Sequence, residues 1–143
     1  MKLKKAAIGL LAMFVCGAAN SEELLRTTQT WEGADIVYPV GNAEVTSIKL
    51  KIEEGETTPF HCHPVPTLGY ILEGTVEVET KSGKKVTLSE GESVVEVLRT
   101  LHRGKALDGP VEILVVYAGA ETVPNTVLPA DDPESKYCDD PHM

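Results

Sequence analysis

The stretch PFHCHPVPTLGYILEGTVEV, residues 59–78, places two of the chain's four histidines one residue apart. In an extended strand, residues i and i+2 point to the same face, so His61 and His63 present two imidazoles to one side while Cys62 faces the other. Two neutral imidazoles on one face can chelate a divalent ion. A third ligand must come from elsewhere, and His102 is the only other histidine in the region of strand-like sequence. The sequence therefore predicts a metal site made of these three histidines.

The sequence around this stretch predicts β-strands from about Ala43 to Ala118. The segments AEVTSIKLKI, TVEVET and KKVTL alternate apolar and polar residues, and VEILVVYA is apolar enough to be buried on both faces. Glycine and proline residues separate these runs, which is typical of a sandwich or a barrel. The predicted fold class is therefore all-β.

One hairpin, between TVEVET and KKVTL, has a predictable register. Both strands carry their apolar residues at even positions, so these residues face each other only if the loop holds an odd number of residues. A three-residue loop at 81–83, with its glycine in the left-handed conformation, meets this condition. We expect Val78 to lie opposite Val86, and Val76 opposite Leu88.

The spacing around the first two histidines resembles the first motif of the cupin superfamily. That motif reads glycine, five residues, His-x-His, three or four residues, glutamate, six residues and glycine. Gly55, His61, His63 and Gly74 match it, whereas Thr67 stands where the glutamate ligand would be. The resemblance implies a metal site of three histidines with a hydroxyl in place of the acidic ligand.

The second cupin motif is matched less completely. Gly91 and His102 have the spacing of its first glycine and its histidine, whereas Val97, Arg99 and Ala106 occupy the positions of proline, glycine and asparagine. The histidines could instead only fill a barrel interior. We favour metal binding, because three buried imidazoles without a partner would be costly.

The resemblance implies a fold and a function. The fold is an all-β, single-domain cupin-type β-barrel (double-stranded β-helix or jelly roll) over residues 43–118, and cupins commonly form homodimers through their sheets. The chain looks like the three-histidine subset, which includes thiol dioxygenases and an acetylacetone-cleaving dioxygenase. We expect one divalent transition metal, iron first, with nickel, copper, zinc or manganese as alternatives, in a dioxygenase for a small anionic chelating substrate. The other hypotheses are a non-catalytic cupin that binds or senses a small ligand or metal, and a barrel that serves mainly for dimerisation.

Further residues are candidates for the surroundings of the metal. Thr67 offers its hydroxyl, and Glu96 is either a replacement ligand or base, or a surface acid. Arg99 either reaches the barrel mouth to meet an anion or is a solvated loop residue. Tyr70 is expected on the face opposite Thr67, where it packs. His142 is a tail residue or, if the C-terminal arm folds back, a fourth ligand.

The N-terminus predicts export. Residues 1–21 have a basic start, MKLKK, then fourteen apolar or small residues, and a small-residue boundary that fits cleavage after Ala19 or Ser21. The apolar run is shorter than the roughly 20 residues that span a membrane. We expect a periplasmic protein in a Gram-negative cell and a secreted one otherwise. Loss of the three leader lysines moves the formal charge from −9 to −12, which disfavours nucleic acid and membrane surfaces as partners.

The remaining parts flank the predicted barrel. Residues 22–42 form an N-terminal segment, and residues 119–143 form a proline-rich acidic arm. The exported chain keeps two cysteines, Cys62 and Cys138, which can form a disulfide in an oxidising compartment and tie the arm to the outside of the barrel. The alternative is a buried Cys62 that packs as a small hydrophobic residue and a free Cys138 on the tail.

Overall fold

The structure, a computed structural model, describes residues 20–139. Residues 1–19, which hold most of the predicted signal peptide, and His142 lie outside the described residues. Between these limits the chain forms strands β1 (Ala43–Ile52), β2 (Thr67–Glu73), β3 (Thr75–Thr80), β4 (Lys85–Ser89), β5 (Ser93–Val95), β6 (His102–Ala106) and β7 (Val111–Ala120), and a short 3-10 helix, Pro129–Asp131.

The strands form two antiparallel sheets. One has the order β1-β7-β2-β5 and the other the order β4-β3-β6. The longest pairing joins β1 to β7 along their full lengths, from Ala43 opposite Ala120 to Ile52 opposite Val111. Their alternating side chains place Ile48, Leu50 and Ile52 on the inner face, as the period-two pattern predicts.

The core lies between the two sheets. It is formed by buried aliphatic residues from both, with Ile71, Val111 and Ile113 on the four-stranded sheet and Val76 and Val78 on the three-stranded sheet. Burial of two apolar sheet faces against each other is the main stabilising term in such a fold. The predicted all-β fold class is confirmed, with the paired antiparallel sheets of a cupin-type barrel.

The β3–β4 hairpin has the predicted register. Val78 lies opposite Val86, and Val76 lies opposite Leu88. The turn at 81–83 is closed by bonds between the backbone of Thr80 and that of Lys84 and Gly83. Gly83 has φ +90°, a value that glycine adopts without strain.

A second glycine marks the passage of the chain from one sheet to the other. Gly74 separates β2 from β3, has φ +82°, and lies so close to the carbonyl oxygen of Pro110 that a Cβ atom there would collide with it. This match to the closing glycine of the first motif therefore has a steric reason. Only a residue without a side chain fits this bend.

Both flanking segments pack on the sheets. The amide of Trp31 in the N-terminal segment donates to the carbonyl of Val95 at 3.0 Å, and its ring packs against the core. The strand β7 runs to Ala120, two residues past the predicted barrel boundary, and residues 121–139 fold back over the connection that carries His61 and His63. Within residues 20–139, no helix is long and apolar enough to cross a membrane.

Candidate metal centre

The two paired histidines lie in extended backbone between β1 and β2, and each residue of the run bridges a different neighbour. His61 pairs with His102, Cys62 pairs with Val127, and His63 pairs with Leu98. The residues alternate as the sequence predicts, with both imidazoles on the inner side and the sulfur on the outer side. Pairing with His102 brings the third histidine directly beside the first.

The three imidazoles form a compact triangle. The ring centroids are 4.9 Å apart for His61 and His63, 4.5 Å for His61 and His102, and 4.9 Å for His63 and His102. One nitrogen of each ring lies within 4.8 Å of the other two. Nitrogens bound to one ion at about 2.1 Å are at most about 4.2 Å apart, so shifts on the order of 1 Å would close the triangle around an ion.

All three rings are oriented in the same way, through Nδ1. His61 Nδ1 lies 2.8 Å from the carbonyl oxygen of Pro59, His102 Nδ1 2.8 Å from that of Thr100, and His63 Nδ1 2.9 Å from that of Asn125. A carbonyl only accepts, so Nδ1 carries the hydrogen in each neutral ring, and the lone pair is on Nε2. Metal-binding histidines in proteins are oriented by such partners.

Burial keeps the rings neutral. Burial, together with the neighbouring His102 and His61, lowers the pKa of His63 to about 3. Burial is also the main cause that lowers the pKa of His61 and of His102. Neutral imidazole is the form that binds a metal ion, so near neutral pH the site needs no proton release before binding.

A carboxylate faces the triangle. Glu96 Oε2 lies 3.8 Å from His102 Nε2 and accepts a hydrogen bond of 3.2 Å from Trp31 Nε1. Burial raises the pKa of Glu96, and the bond from Trp31 partly offsets this. The Glu96 side chain is 16% exposed and lines the internal cavity. Glu96 is therefore not a surface acid, which was one of the two roles that its sequence position allows.

Thr67 and Tyr70 lie on the faces that strand parity predicts. Thr67 is buried at the cavity wall, where its hydroxyl donates to the carbonyl of Val65 at 3.0 Å. Tyr70 is half-buried and is not among the residues that line the cavity.

Of the two alternatives for Arg99, the structure does not contain the one at the barrel mouth. Arg99 has φ +59°, and its side chain extends to the C-terminal arm. There it pairs with Asp139 at 3.1 Å and donates to the carbonyl of Lys136 at 3.0 Å. The acidic arm, folded against this loop, offers the guanidinium closer partners than the barrel mouth does.

A cavity of about 250 Å³ lies in front of the histidines, between the two sheets. Its walls are mostly aliphatic, and no lysine or arginine is among the described residues that line it. The residues other than the histidines and Glu96 are Ile48, Leu50, Ile52, Thr58, Pro59, Thr67, Gly69, Ile71, Val76, Val78, Val94, Gly104, Ile113, Val115, Tyr117, Thr126 and Leu128. The site therefore combines a small polar end with an apolar body.

Sequence reasoning missed three neighbours of the site. Trp31 bonds Glu96, Asn125 supplies the acceptor for His63, and Thr126 places its hydroxyl 3.3 Å from His63 Nδ1 and 3.4 Å from the Tyr117 hydroxyl. Their positions depend on two flanking segments without strand periodicity. The pairing of Cys62 with Cys138, which the structure contains, was the one signal that placed the arm beside the histidines.

Comparisons with known proteins agree with this architecture. A family model described as a cupin domain matches residues 49–117. The chain is similar to the solved DMSP lyase DddQ from Ruegeria pomeroyi, with 24% identity and a TM-score of 0.53 over 62% of this chain and 44% of that one. An oxalate oxidase gives 20% identity and a TM-score of 0.51 over 67% of this chain and 52% of that one.

The oxalate decarboxylase of Lactobacillus farciminis gives 17% identity and a TM-score of 0.50 over 59% of this chain and 26% of that one. The chain thus spans about half or less of the length of these solved proteins. No curated protein sequence matches it. The solved structures share the fold, and their activities differ.

Proposed function

We propose that this chain, whose residues 49–117 match a cupin-domain family model, is an exported cupin that binds one divalent transition metal through His61, His63 and His102 and acts as a dioxygenase on a small chelating anion. The observation that carries the proposal is the common orientation of the three rings. Each donates Nδ1–H to a backbone carbonyl and keeps the lone pair of Nε2 for a metal, and one nitrogen of each ring lies within 4.8 Å of the other two. The donor set suits iron, nickel, copper and zinc alike, so it does not select the metal.

The chain's own residues define what such a site could bind. A metal held by the three neutral imidazoles would keep its full charge and would supply Lewis acidity toward a chelating ligand. The cavity volume of about 250 Å³ limits the substrate to a small molecule, and the aliphatic walls exclude water around its body. Since lysine and arginine are missing from the described lining residues, an anionic group finds its counter-charge only at the metal.

Glu96 has the position of a proton acceptor. Its Oε2 is close to the histidine triangle and is held by the indole of Trp31, which leaves the carboxylate facing the cavity. A carboxyl whose pKa is raised by burial is suited to take a proton from a weakly acidic substrate near neutral pH. We assign Glu96 the role of general base in the proposed reaction.

Export is supported by the disulfide between Cys62 and Cys138, because such bonds persist in oxidising compartments. The periplasm of a Gram-negative cell or the extracellular space fits this chemistry. The activities of the solved neighbours do not choose the reaction, since one fold hosts lyases and oxidases alike. An oxygen-uptake assay therefore tests the dioxygenase assignment.

Metal content and oxygen uptake test the proposal. Wild-type protein, His102→Ala and the control Lys49→Ala, at an exposed position away from the cavity, are each loaded with Fe²⁺ without oxygen, desalted and analysed for bound iron. We expect about one ion per chain in the wild type and in the control, and little in His102→Ala, with the same β-sheet circular dichroism in all three. Full metal content in His102→Ala would show that the third ligand is wrong.

The loaded wild type is then supplied with β-diketones, thiols and phenolic acids while dissolved oxygen is recorded. Uptake with any of these supports the dioxygenase. Bound metal without turnover supports instead a cupin that binds or senses a small ligand, and absence of metal supports a purely structural barrel.

A further inference from the structure

A second, smaller hydrophobic cluster lies directly behind the histidine triangle. It consists of Cys62, Leu101, Val127 and Cys138, with Tyr137 packed against it. Cys62 is fully buried between His61 and His63 in the chain, and the buried Leu101 directly precedes His102. Both backbone segments that carry the proposed ligands are therefore anchored in this cluster.

The part of the C-terminal arm that follows β7 and that the structure describes, residues 121–139, completes the cluster and reaches the site itself. The amide of Cys62 donates to the carbonyl of Val127 at 2.9 Å, and the amide of Val127 donates back at 3.0 Å. Two residues earlier in the arm, the carbonyl of Asn125 accepts the hydrogen of His63 Nδ1 at 2.9 Å. His61 and His102 take their acceptors from their own segments, so only His63 depends on a distant part of the chain.

The far end of the arm is held by a covalent bond and by polar contacts. Cys138 is joined to Cys62 across a sequence separation of 76 residues. The carboxylate of Asp132 accepts the backbone amide hydrogens of residues 136–138, each at 2.8 Å. The amide of Asp139 donates to the carbonyl of Arg99 at 2.8 Å.

We propose that the Cys62–Cys138 disulfide is a positioning bond of the histidine triangle: it keeps the arm closed on His63, so that its loss weakens metal binding. The proposal rests on the proposed metal site. Without the bond, the arm is held by non-covalent contacts alone, and its open state gains the freedom of a long released loop. In the open state His63 loses the acceptor that orients its ring and fixes its tautomer.

The expected loss of metal affinity follows from the role of the hydrogen-bond partners that orient metal ligands. Removing the group that orients a metal-bound histidine typically lowers metal affinity about 10- to 100-fold. Because binding couplings are reciprocal, a bound metal must also make the disulfide harder to open by the same factor. A phosphine can be used to reduce the disulfide. The S–S bond breaks, the phosphine takes the oxygen of one water molecule, and the two hydrogens of that water go to the two thiols.

Two variants separate the disulfide from general stability. Cys138→Ala removes the bond and leaves Cys62 between the histidines, and Cys62→Ala/Cys138→Ala removes every thiol of the pair. Val86→Ala, on the edge strand β4 and outside the set of residues that line the cavity, is the matched control for lost stability. The Kd for Co²⁺ is measured by competition with a coloured chelator. We expect a Kd about 10- to 100-fold higher in both cysteine variants and unchanged in the control.

A metal-free readout keeps the positioning claim separate from the proposed function. In the wild type, the Nδ1 hydrogen of His63 should give a slowly exchanging NMR signal, since it is bonded to Asn125 in a buried site. We expect this signal to be lost in Cys138→Ala, while the signals of His61 and His102 persist. In the wild type, Co²⁺ should also slow the appearance of thiols during phosphine reduction.

The outcomes are distinguishable. If the wild type binds no Co²⁺, the proposed metal function is overturned, whatever the NMR signals show. If the wild type binds Co²⁺ and the cysteine variants bind it within twofold, with the His63 signal intact, the disulfide does not position the site. Loss of affinity in Val86→Ala to the same extent would refute the specific role of the arm.

Discussion

Lowering the pH should destabilise the metal-free protein through its buried histidines. We expect the stability to fall between pH 7.5 and 5.5, the range in which an ordinary histidine becomes protonated. His63 is 5% exposed, and burial lowers its pKa to about 3, so it stays neutral in the folded state across this range. In the unfolded chain, the same ring takes up a proton below about pH 6.5.

The sign and the size of the change in the free energy of unfolding follow from this difference in proton uptake. A group with a lowered folded-state pKa favours folding above its unfolded pKa, and that contribution is lost as the pH falls toward its folded pKa. For one histidine that stays neutral, the loss between pH 7.5 and 5.5 is about 1.4 kcal/mol. The pKa values of His61 and His102 are also lowered, so the total approaches at most about 4 kcal/mol. Glu96, whose pKa is raised, acts in the opposite direction.

Urea unfolding of wild type and His63→Asn at both pH values, in the presence of a chelator, measures the contribution of His63. Asparagine does not titrate and retains a donor, so its pH-independent cost cancels when the two pH values are compared. We expect the wild type to lose about 1.4 kcal/mol more than the variant over this range. An equal loss in both proteins, within about 0.5 kcal/mol, would mean that the folded state protonates His63 as readily as the unfolded state does.

Three substitutions give further tests. Gly74→Ala should destabilise the protein by more than about 2 kcal/mol, since it adds a collision with Pro110 to a positive φ, whereas Gly55→Ala, at φ +74° with open space around it, should cost less in urea unfolding; equal costs would exclude the collision. Ile71→Ala, at a buried position in the cavity wall, should cost about 2 to 4 kcal/mol in the same assay, and a cost below about 1 kcal/mol would show that the wall collapses readily. Thr67→Glu should hold Co²⁺ at least as tightly and bind anionic chelators less well, as titrations would show, because the added carboxylate lowers the charge of the site; unchanged chelator binding by a variant whose glutamate coordinates the metal would refute this.

Much of the barrel could be predicted because its rules are local. Period-two alternation placed His61 and His63 on one face, and the parity of the hairpin loop paired Val78 with Val86. The motif spacing identified His102 as the third member of the triangle. The first two inferences need only neighbouring residues, or two strands and the turn between them, whereas the third depends on the resemblance to the cupin motifs.

The parts that could not be predicted depend on distant segments. Glu96 and Arg99 are three residues apart and equally polar, yet one faces the cavity and the other faces the arm. What separates them is Trp31, which bonds the first, and Asp139, which bonds the second, and both lie in flanking segments without periodicity. The acceptor for His63 is a backbone carbonyl, which leaves no mark in the sequence at all.

That the three acceptors are main-chain carbonyls has a consequence for variation in this protein. Carbonyls at Pro59, Thr100 and Asn125 are present whatever side chain those positions carry, so substitution there alters ring orientation only by moving the backbone. The aliphatic walls can then change size and shape while the ligand geometry is inherited unaltered. Such a separation lets a lineage, or an engineer, exchange one small substrate for another without rebuilding the metal site.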